Sequence, residues 1–167
     1  TNRILAHESI HDVFVEKLAA AIQKLKVASA FEAGAEQGPL INERSVEKIQ
    51  EHIADAVAKG AKVVVGGQRH ALGQTFFEPT LLTEVTSDML VAKDETFAPL
   101  APVFKFSTDA EAIQMANDTE FGLASYIYTE SLSRAWKVGE ALEYGMVGIN
   151  EGLISTEVAP FGGIKES

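Results

Sequence analysis

The chain has 167 residues, 46% of them hydrophobic, and a chain of this size can form one domain that buries roughly 70% of its unfolded surface. Twenty-four acidic residues against 14 basic ones give a net charge of −10, which argues against binding to nucleic acid phosphates or anionic membranes. The absence of cysteine excludes a disulfide framework or a thiolate metal site within these residues.

Two helices are predicted before Gly60. The first has Ser9 as its N-cap and continues through apolar residues at helical spacing as far as Leu25. Residues 31–40 contain glycine and proline and are predicted to form a loop. The second helix is predicted from a stripe of apolar residues at helical spacing, and it ends at Gly60. The stripe consists of Val46, Ile49, Ile53 and Val57.

All of the predicted strands lie after Gly60. Residues 63–65, three valines, indicate a strand buried on both faces, and residues 102–106 indicate another. Between them, short strands around Pro79 are a weaker prediction. Thr108 opens a capping box for a third helix. A strand, a helix and a strand then follow at residues 123–128, 132–142 and 146–150.

Strands that alternate with helices predict an α/β fold with an open, mostly parallel sheet and crossover helices. No linker or internal repeat interrupts the chain, so residues 1–167 are interpreted as a single domain. The four histidines, at positions 7, 11, 52 and 70, lack metal-ligand spacing, which favours surface or hydrogen-bonded structural roles. No G-x-G-x-x-G phosphate loop follows a strand.

Two segments suggest binding chemistry. Glu95, in the segment KDETFAP of residues 93–99, offers a carboxylate that can accept hydrogen bonds from ribose hydroxyls, although a solvated loop glutamate is the commoner case. Phe161, in the segment APFGGIKES of residues 159–167, lies in a turn that can hold its ring outside the core. Ordinary hairpin packing is the alternative for this ring.

Together these two segments resemble the E-x-F-G-P and P-F-G-G-x-K-x-S motifs of the aldehyde dehydrogenase family. The resemblance implies the catalytic domain fold of that family and NAD or NADP as the cofactor. It implies that Glu95 binds the nicotinamide ribose, that Phe97 packs beside the nicotinamide, and that Phe161 lines the aldehyde tunnel. Lys48 matches a position that reaches the adenosine ribose. Ala98 departs from the motif, which has glycine there, and its added methyl is expected to alter the turn slightly.

Residues 150–158, NEGLISTEV, are similar to the succinate-semialdehyde dehydrogenase subfamily. The resemblance implies that Ser155 hydrogen-bonds the distal carboxylate of the substrate. Two alternatives stay open, namely a dehydrogenase for another semialdehyde such as glutarate semialdehyde, and a non-catalytic module for subunit assembly. One methylene changes binding by only about 1–3 kcal/mol, so mixed chain-length specificity is compatible with the sequence.

The family nucleophile is a cysteine, and the resemblance places it, with the general-base glutamate, upstream of Thr1. No catalytic residue is therefore assigned within the chain, which is interpreted as a fragment that is inactive alone and lacks the cofactor domain and C-terminal arm. The family reaction forms a thioester on that cysteine and releases the acid. A homodimer or homotetramer is expected for the full-length enzyme, in the cytoplasm or, in a eukaryote, the mitochondrial matrix. No nucleic acid, membrane or metal partner is expected.

Overall fold

A computed structural model describes residues 2–167. The chain forms two compact units, the first ending at Phe106 and the second comprising Ser107–Ser167. None of the helices within residues 2–167 combines the length and apolar character that crossing a membrane requires.

The first unit contains a four-stranded sheet. Its strands are β1 (Ile4–His7), β2 (Lys62–Val65), β3 (Thr80–Thr83) and β4 (Leu100–Phe106), arranged in the order β1-β4-β3-β2. β4 is parallel to both β1 and β3, whereas β2 is antiparallel to β3. The predicted open, mostly parallel α/β sheet is therefore confirmed, including the strand that begins near Pro102.

Three helices accompany this sheet, namely α1 (Glu8–Ile22), α2 (Glu43–Ala58) and α3 (Leu90–Lys93). α1 packs its Phe14, Leu18 and Ile22 against a core that includes Leu81 and Val103. β3 is buried along its whole length. α3 is a single turn within the crossover between the parallel strands β3 and β4.

The start and the buried face of α1 differ from the prediction. Because β1 runs directly into the helix, the N-cap is His7, and its Nδ1 accepts a hydrogen bond from the N–H of Ser9 at 3.2 Å. Ile10 and Val13 are more than half exposed, while His11 is buried and hydrogen-bonded to Asp12. The stripe of apolar residues therefore predicted the helix but misplaced its inward face.

The prediction that residues 63–65 form a strand buried on both faces is wrong. Val63 and Val64 are about 40% exposed because β2 lies at the edge of the sheet. The run of β-branched residues favours a strand in either position, and only the pairing of β3 with both β2 and β4 decides which strand is central.

The second unit contains two helices, α4 (Asp109–Asn117) and α5 (Leu132–Ala141). It also contains β5 (Phe121–Gly122), β6 (Ala124–Ile127), β7 (Met146–Ile149) and β8 (Ile164–Lys165). The parallel pair β6 and β7 is joined by α5, and β5 pairs with β8 in antiparallel fashion. The N-cap of the predicted capping box is confirmed, since the Thr108 side chain accepts from the Glu111 N–H at 3.2 Å, whereas the Glu111 carboxylate accepts from the N–H of Ser107 at 2.8 Å.

Candidate functional site

The loop between α3 and β4 turns two candidate side chains outward and one inward. Glu95 is exposed and Phe97 is 84% exposed, whereas Thr96 between them is only 7% exposed. A loop with this alternation presents a carboxylate and an aromatic ring on the surface while its central residue is anchored in the core.

The backbone of this loop is strained at one position. Phe97 has a φ of +52°, a left-handed conformation that costs a bulky residue about 1–3 kcal/mol. The next residue, Ala98, is outside the left-handed region, so its methyl meets no such penalty where the family motif has glycine. The strain therefore falls on the residue whose ring is presented to the surface.

Helix α2 anchors the loop through two successive turns. The Lys48 ammonium donates to the carbonyl oxygen of Glu95 at 2.6 Å. One turn later, Nδ1 of His52 shares a hydrogen bond of 2.9 Å with the hydroxyl of Thr96. At the other end of the loop, the N–H of Thr80 donates to the carbonyl of Pro99 at 2.8 Å.

The same face of α2 continues with two further polar residues, Asp55 and Lys59. The Asp55 carboxylate accepts from the N–H of Leu90 at 2.8 Å, which holds the first turn of α3. Lys59 forms an ion pair of 2.8 Å with Asp55 and donates to the carbonyl of Asp88 at 2.6 Å. The four residues Lys48, His52, Asp55 and Lys59, called here the α2 polar stripe, have the spacing of one helix face.

The environment of the stripe changes the charge states of its members. Burial lowers the pKa of His52, and the Lys48 ammonium lowers it further, so the imidazole is neutral near pH 7. Three carboxylates act in the opposite direction, those of Asp94, Glu51 and Asp55. The hydrogen bond from Lys59, followed by that from the Leu90 N–H, lowers the pKa of Asp55.

In the second unit, Ser155 and Phe161 line one open depression, together with Thr156 and Glu157. Phe161 is 61% exposed and Ser155 is exposed, so a ring and a hydroxyl are accessible at the same place. A ring and a hydroxyl at one place can together contact an organic substrate that carries a polar group.

The segment after Phe161 is fixed at several points within the second unit. β8 pairs with β5, and the Ser167 hydroxyl accepts from the N–H of Gly122 at 3.0 Å. The Lys165 ammonium pairs with the Glu143 carboxylate at 2.8 Å. It also donates to the carbonyls of Asn117 and Thr119 at 2.9 and 3.1 Å.

Close backbone contact also holds the segment before β8. A Cβ atom added at Gly145 would lie 2.2 Å from the carbonyl oxygen of Gly162, and one added at Gly163 would lie 3.0 Å from Cα of Leu123. Glycine is required at position 145 because the neighbouring atom belongs to backbone, which cannot move aside as a flexible side chain does.

The structure thus brings the predicted residues together in two groups. Lys48, Glu95 and Phe97 meet at the loop in the first unit, and Ser155 and Phe161 meet at the depression in the second. In addition to these residues, it identifies His52 and Thr96, which sequence reasoning did not select. A histidine on the apolar face of α2, between Ile49 and Ile53, was the signal that could have found the pair.

Lys48 is half-buried instead of lying on an open helix surface, and its ammonium contacts the backbone of Glu95. Its contact with an adenosine ribose stays a prediction. The residues at the loop nevertheless fit a dinucleotide. The exposed carboxylate of Glu95 can accept hydrogen bonds from both hydroxyls of a ribose, and the exposed ring of Phe97 offers apolar surface to a planar ring.

A family model described as the aldehyde dehydrogenase family matches residues 1–167. A glutarate-semialdehyde dehydrogenase from Pseudomonas aeruginosa is 62% identical over 99% of the chain and 34% of its own length. A succinate-semialdehyde dehydrogenase [NADP(+)] from Escherichia coli is 55% identical over 99% of the chain and 34% of its own length. The chain therefore spans about a third of the length of the curated relatives it matches.

Solved structures agree with these sequence matches. The crystal structure of succinate-semialdehyde dehydrogenase from Burkholderia pseudomallei is 62% identical, with a TM-score of 0.97 over 99% of this chain and 34% of that one. The family match, the curated relatives and the solved structure thus all indicate the same family.

Proposed function

Because the chain belongs to the aldehyde dehydrogenase family, we propose that it is the catalytic-domain part of an NAD(P)-dependent semialdehyde dehydrogenase, with succinate semialdehyde as the first candidate substrate. The observation that carries the proposal is the outward pairing of Glu95 and Phe97 on a loop anchored by α2. The similar enzymes from Pseudomonas aeruginosa and Escherichia coli support substrates that end in a carboxylate.

Each candidate residue has a separate task in this proposal. Glu95 accepts hydrogen bonds from the hydroxyls of the nicotinamide ribose, and Phe97 packs against the nicotinamide. Phe161 flanks the aldehyde, and the hydroxyl of Ser155 donates to the distal carboxylate. The bound cofactor supplies the hydride acceptor, and these side chains contribute by holding cofactor and aldehyde in place.

The nucleophile must come from elsewhere in the full-length protein. The chain contains no cysteine, so residues 1–167 provide no thiolate for attack on an aldehyde carbon. We accordingly expect the 167-residue chain by itself to be inactive.

Glutarate semialdehyde is the second candidate substrate, because the relative from Pseudomonas aeruginosa carries that name at 62% identity. The two substrates differ by one methylene, which corresponds to about 10–200-fold in specificity at most. The hydroxyl of Ser155 serves either chain length in the same way.

The decisive experiment measures reduced-cofactor formation by the full-length protein with both semialdehydes and with each of NAD and NADP. Turnover with either semialdehyde in clear preference to butanal, which has no carboxylate, supports the proposal. Preference for butanal would refute it.

Two variants assign the residues within that assay. Glu95→Gln should raise the KM of the cofactor by about tenfold, because an amide accepts weaker hydrogen bonds from the ribose than a carboxylate does. Ser155→Ala should raise the KM of the semialdehyde by about tenfold or more while butanal is unaffected. If Glu95→Gln and Phe161→Ala leave all kinetic constants unchanged, the chain is an assembly module instead.

A further inference from the structure

The Thr96 side chain is the inward anchor between the two proposed cofactor contacts. Thr96 is 7% exposed, whereas the residues immediately before and after it, Glu95 and Phe97, are exposed. Its hydroxyl would be costly to bury without a partner, and the partner is Nδ1 of His52 at 2.9 Å.

His52 is equally dependent on this contact. Its side chain is 2% exposed, on the face of α2 that also buries Val46, Ile49 and Ala56. A polar ring in such surroundings is stabilised only where its nitrogen atoms find partners. The pair is separated by 44 residues in sequence, so it joins the helix to the loop as a tertiary contact.

The hydrogen bond between His52 and Thr96 lies where it can fix the conformation of Glu95 and Phe97. The preceding turn of α2 holds the carbonyl of Glu95 through Lys48, and the His52 bond holds the next side chain along the loop. The residue after Thr96 is the strained Phe97, with its φ of +52°. A conformation of this cost persists only where its surroundings fix it, and Thr96 is the fixed point adjacent to it.

We propose that His52 and Thr96 are positioning residues for the cofactor, which act by holding Glu95 and Phe97 in their outward orientation. This inference rests on the proposed function, since it assumes that Glu95 and Phe97 contact the cofactor. Neither His52 nor Thr96 touches the cofactor in this scheme. Without their bond, Thr96 is free to leave the core, and Phe97 can relax to a negative φ that turns its ring away.

The neutral imidazole fits this role. Burial lowers the pKa of His52, and the Lys48 ammonium adjacent to it disfavours a second positive charge. A neutral ring can serve the threonine hydroxyl as either donor or acceptor.

The test uses the full-length protein and matched substitutions at both ends of the bond. Thr96→Val keeps the shape of threonine and removes the hydroxyl, whereas Thr96→Ser keeps the hydroxyl. His52→Leu removes the hydrogen-bonding group, whereas His52→Gln retains one. Cofactor Kd is measured by titration, and KM is measured separately for cofactor and semialdehyde.

We expect Thr96→Val and His52→Leu to weaken cofactor binding about five- to tenfold and to leave the KM of the semialdehyde within about twofold. Thr96→Ser and His52→Gln should restore most of the cofactor affinity. The double variant that combines Thr96→Val with His52→Leu should be no worse than either single one, because both substitutions remove the same bond.

Glu95→Gln separates failure of this inference from failure of the proposed function. If Glu95→Gln weakens cofactor binding while Thr96→Val does not, the positioning role is refuted and the cofactor role of Glu95 stands. If Glu95→Gln also leaves cofactor binding unchanged, the positioning role and the cofactor role of Glu95 are both refuted. An equal rise in both KM values would refute the inference too, since it would indicate general loosening. If His52→Leu does not fold, the matched pair Thr96→Val and Thr96→Ser decides the outcome.

Discussion

The loop that presents Glu95 and Phe97 and the segment that presents Phe161 are both fixed, but by different means. The loop in the first unit is held largely by side chains of α2, a turn apart, that reach its backbone and one inward threonine. The segment in the second unit combines side-chain contacts of Lys165 and Ser167 with direct backbone contact, through the pairing of β5 with β8 and the close approach of Gly145 to Gly162.

The difference determines which mutations each region tolerates. A side-chain anchor can be removed one hydrogen bond at a time, at about 0.5–1.5 kcal/mol each, while the backbone stays in place. A close backbone contact at glycine cannot be weakened in steps, because even the methyl group of alanine clashes with the neighbouring backbone. We therefore expect graded effects at the loop and an abrupt effect at the segment.

The largest expected effect is that of Gly145→Ala, which tests the backbone contact in the second unit. The new Cβ would lie 2.2 Å from the carbonyl oxygen of Gly162, so the segment that leads to Phe161 must shift. Unfolding free energy should fall by about 1–3 kcal/mol. A displacement of about 1 Å at a binding group can reduce a rate about 100-fold, and kcat/KM for the semialdehyde should fall by that order.

Gly38→Ala is the matched control, since a Cβ there has nothing within 4 Å and the φ is not positive. It should leave kcat/KM unchanged. Cofactor Kd should be unaffected in both variants. If Gly145→Ala has wild-type kinetics, rigid backbone contact is not what positions Phe161.

Lys48→Met tests the side-chain-held region and should raise cofactor KM by about tenfold. The substitution keeps an unbranched chain but removes the ammonium that donates to the Glu95 carbonyl at 2.6 Å. Lys24→Met, at an exposed lysine, is the control and should have no effect.

A double variant distinguishes two roles for Lys48. If Lys48 acts through Glu95, combining Lys48→Met with Glu95→Gln should cost less than the sum of the single effects. Strict additivity would instead indicate an independent contact, such as the predicted one with the adenosine ribose.

The sequence was sufficient to locate the Glu95 loop and the Phe161 segment, but it did not reveal the contacts that hold them in place. Periodicity predicted α2 and a capping box predicted α4, since each signal lies within one continuous stretch. The resemblance to family motifs selected Glu95 and Phe161. β5 and β8, by contrast, have two residues each and lie about 40 residues apart, so no local pattern indicates them.

The same physical limit applies to His52 and Thr96. The two residues are 44 positions apart in sequence, and no local pattern around either one predicts its contact with the other. The three valines of β2 were misjudged for a related reason, because β-branched residues suit edge and central strands alike and only pairing distinguishes them.

The pH dependence of stability tests His52 separately from the loop that it anchors. Its pKa is lowered from 6.5 in the folded chain, so the unfolded chain binds more protons below that value, and unfolding free energy should fall as pH falls from 7 toward 5. The contribution is at most about 1.4 kcal/mol per pH unit for one group.

Denaturant unfolding of wild type and His52→Gln at pH 5, 6 and 7 measures this term. The variant should lose part of the slope in this window. The carboxylate of Asp55, whose pKa is lowered, contributes stability that is lost only at more acidic pH, as it becomes protonated. Identical slopes in wild type and variant would show that His52 gains no proton on unfolding.

The smallest expected effect concerns Glu157, which lines the same depression as Ser155 and Phe161. Its exposed carboxylate should repel a substrate that ends in a carboxylate, though solvent screens the interaction strongly. Glu157→Gln should therefore lower the KM of the semialdehyde by about twofold at low ionic strength, with no change for butanal. The gain should vanish in about 1 M salt, where the screening length is about 3 Å. A gain that persists in salt, or that extends to butanal, would mean that the substitution reshapes the depression instead of removing a charge, and that this region, too, responds to side chains in a graded way.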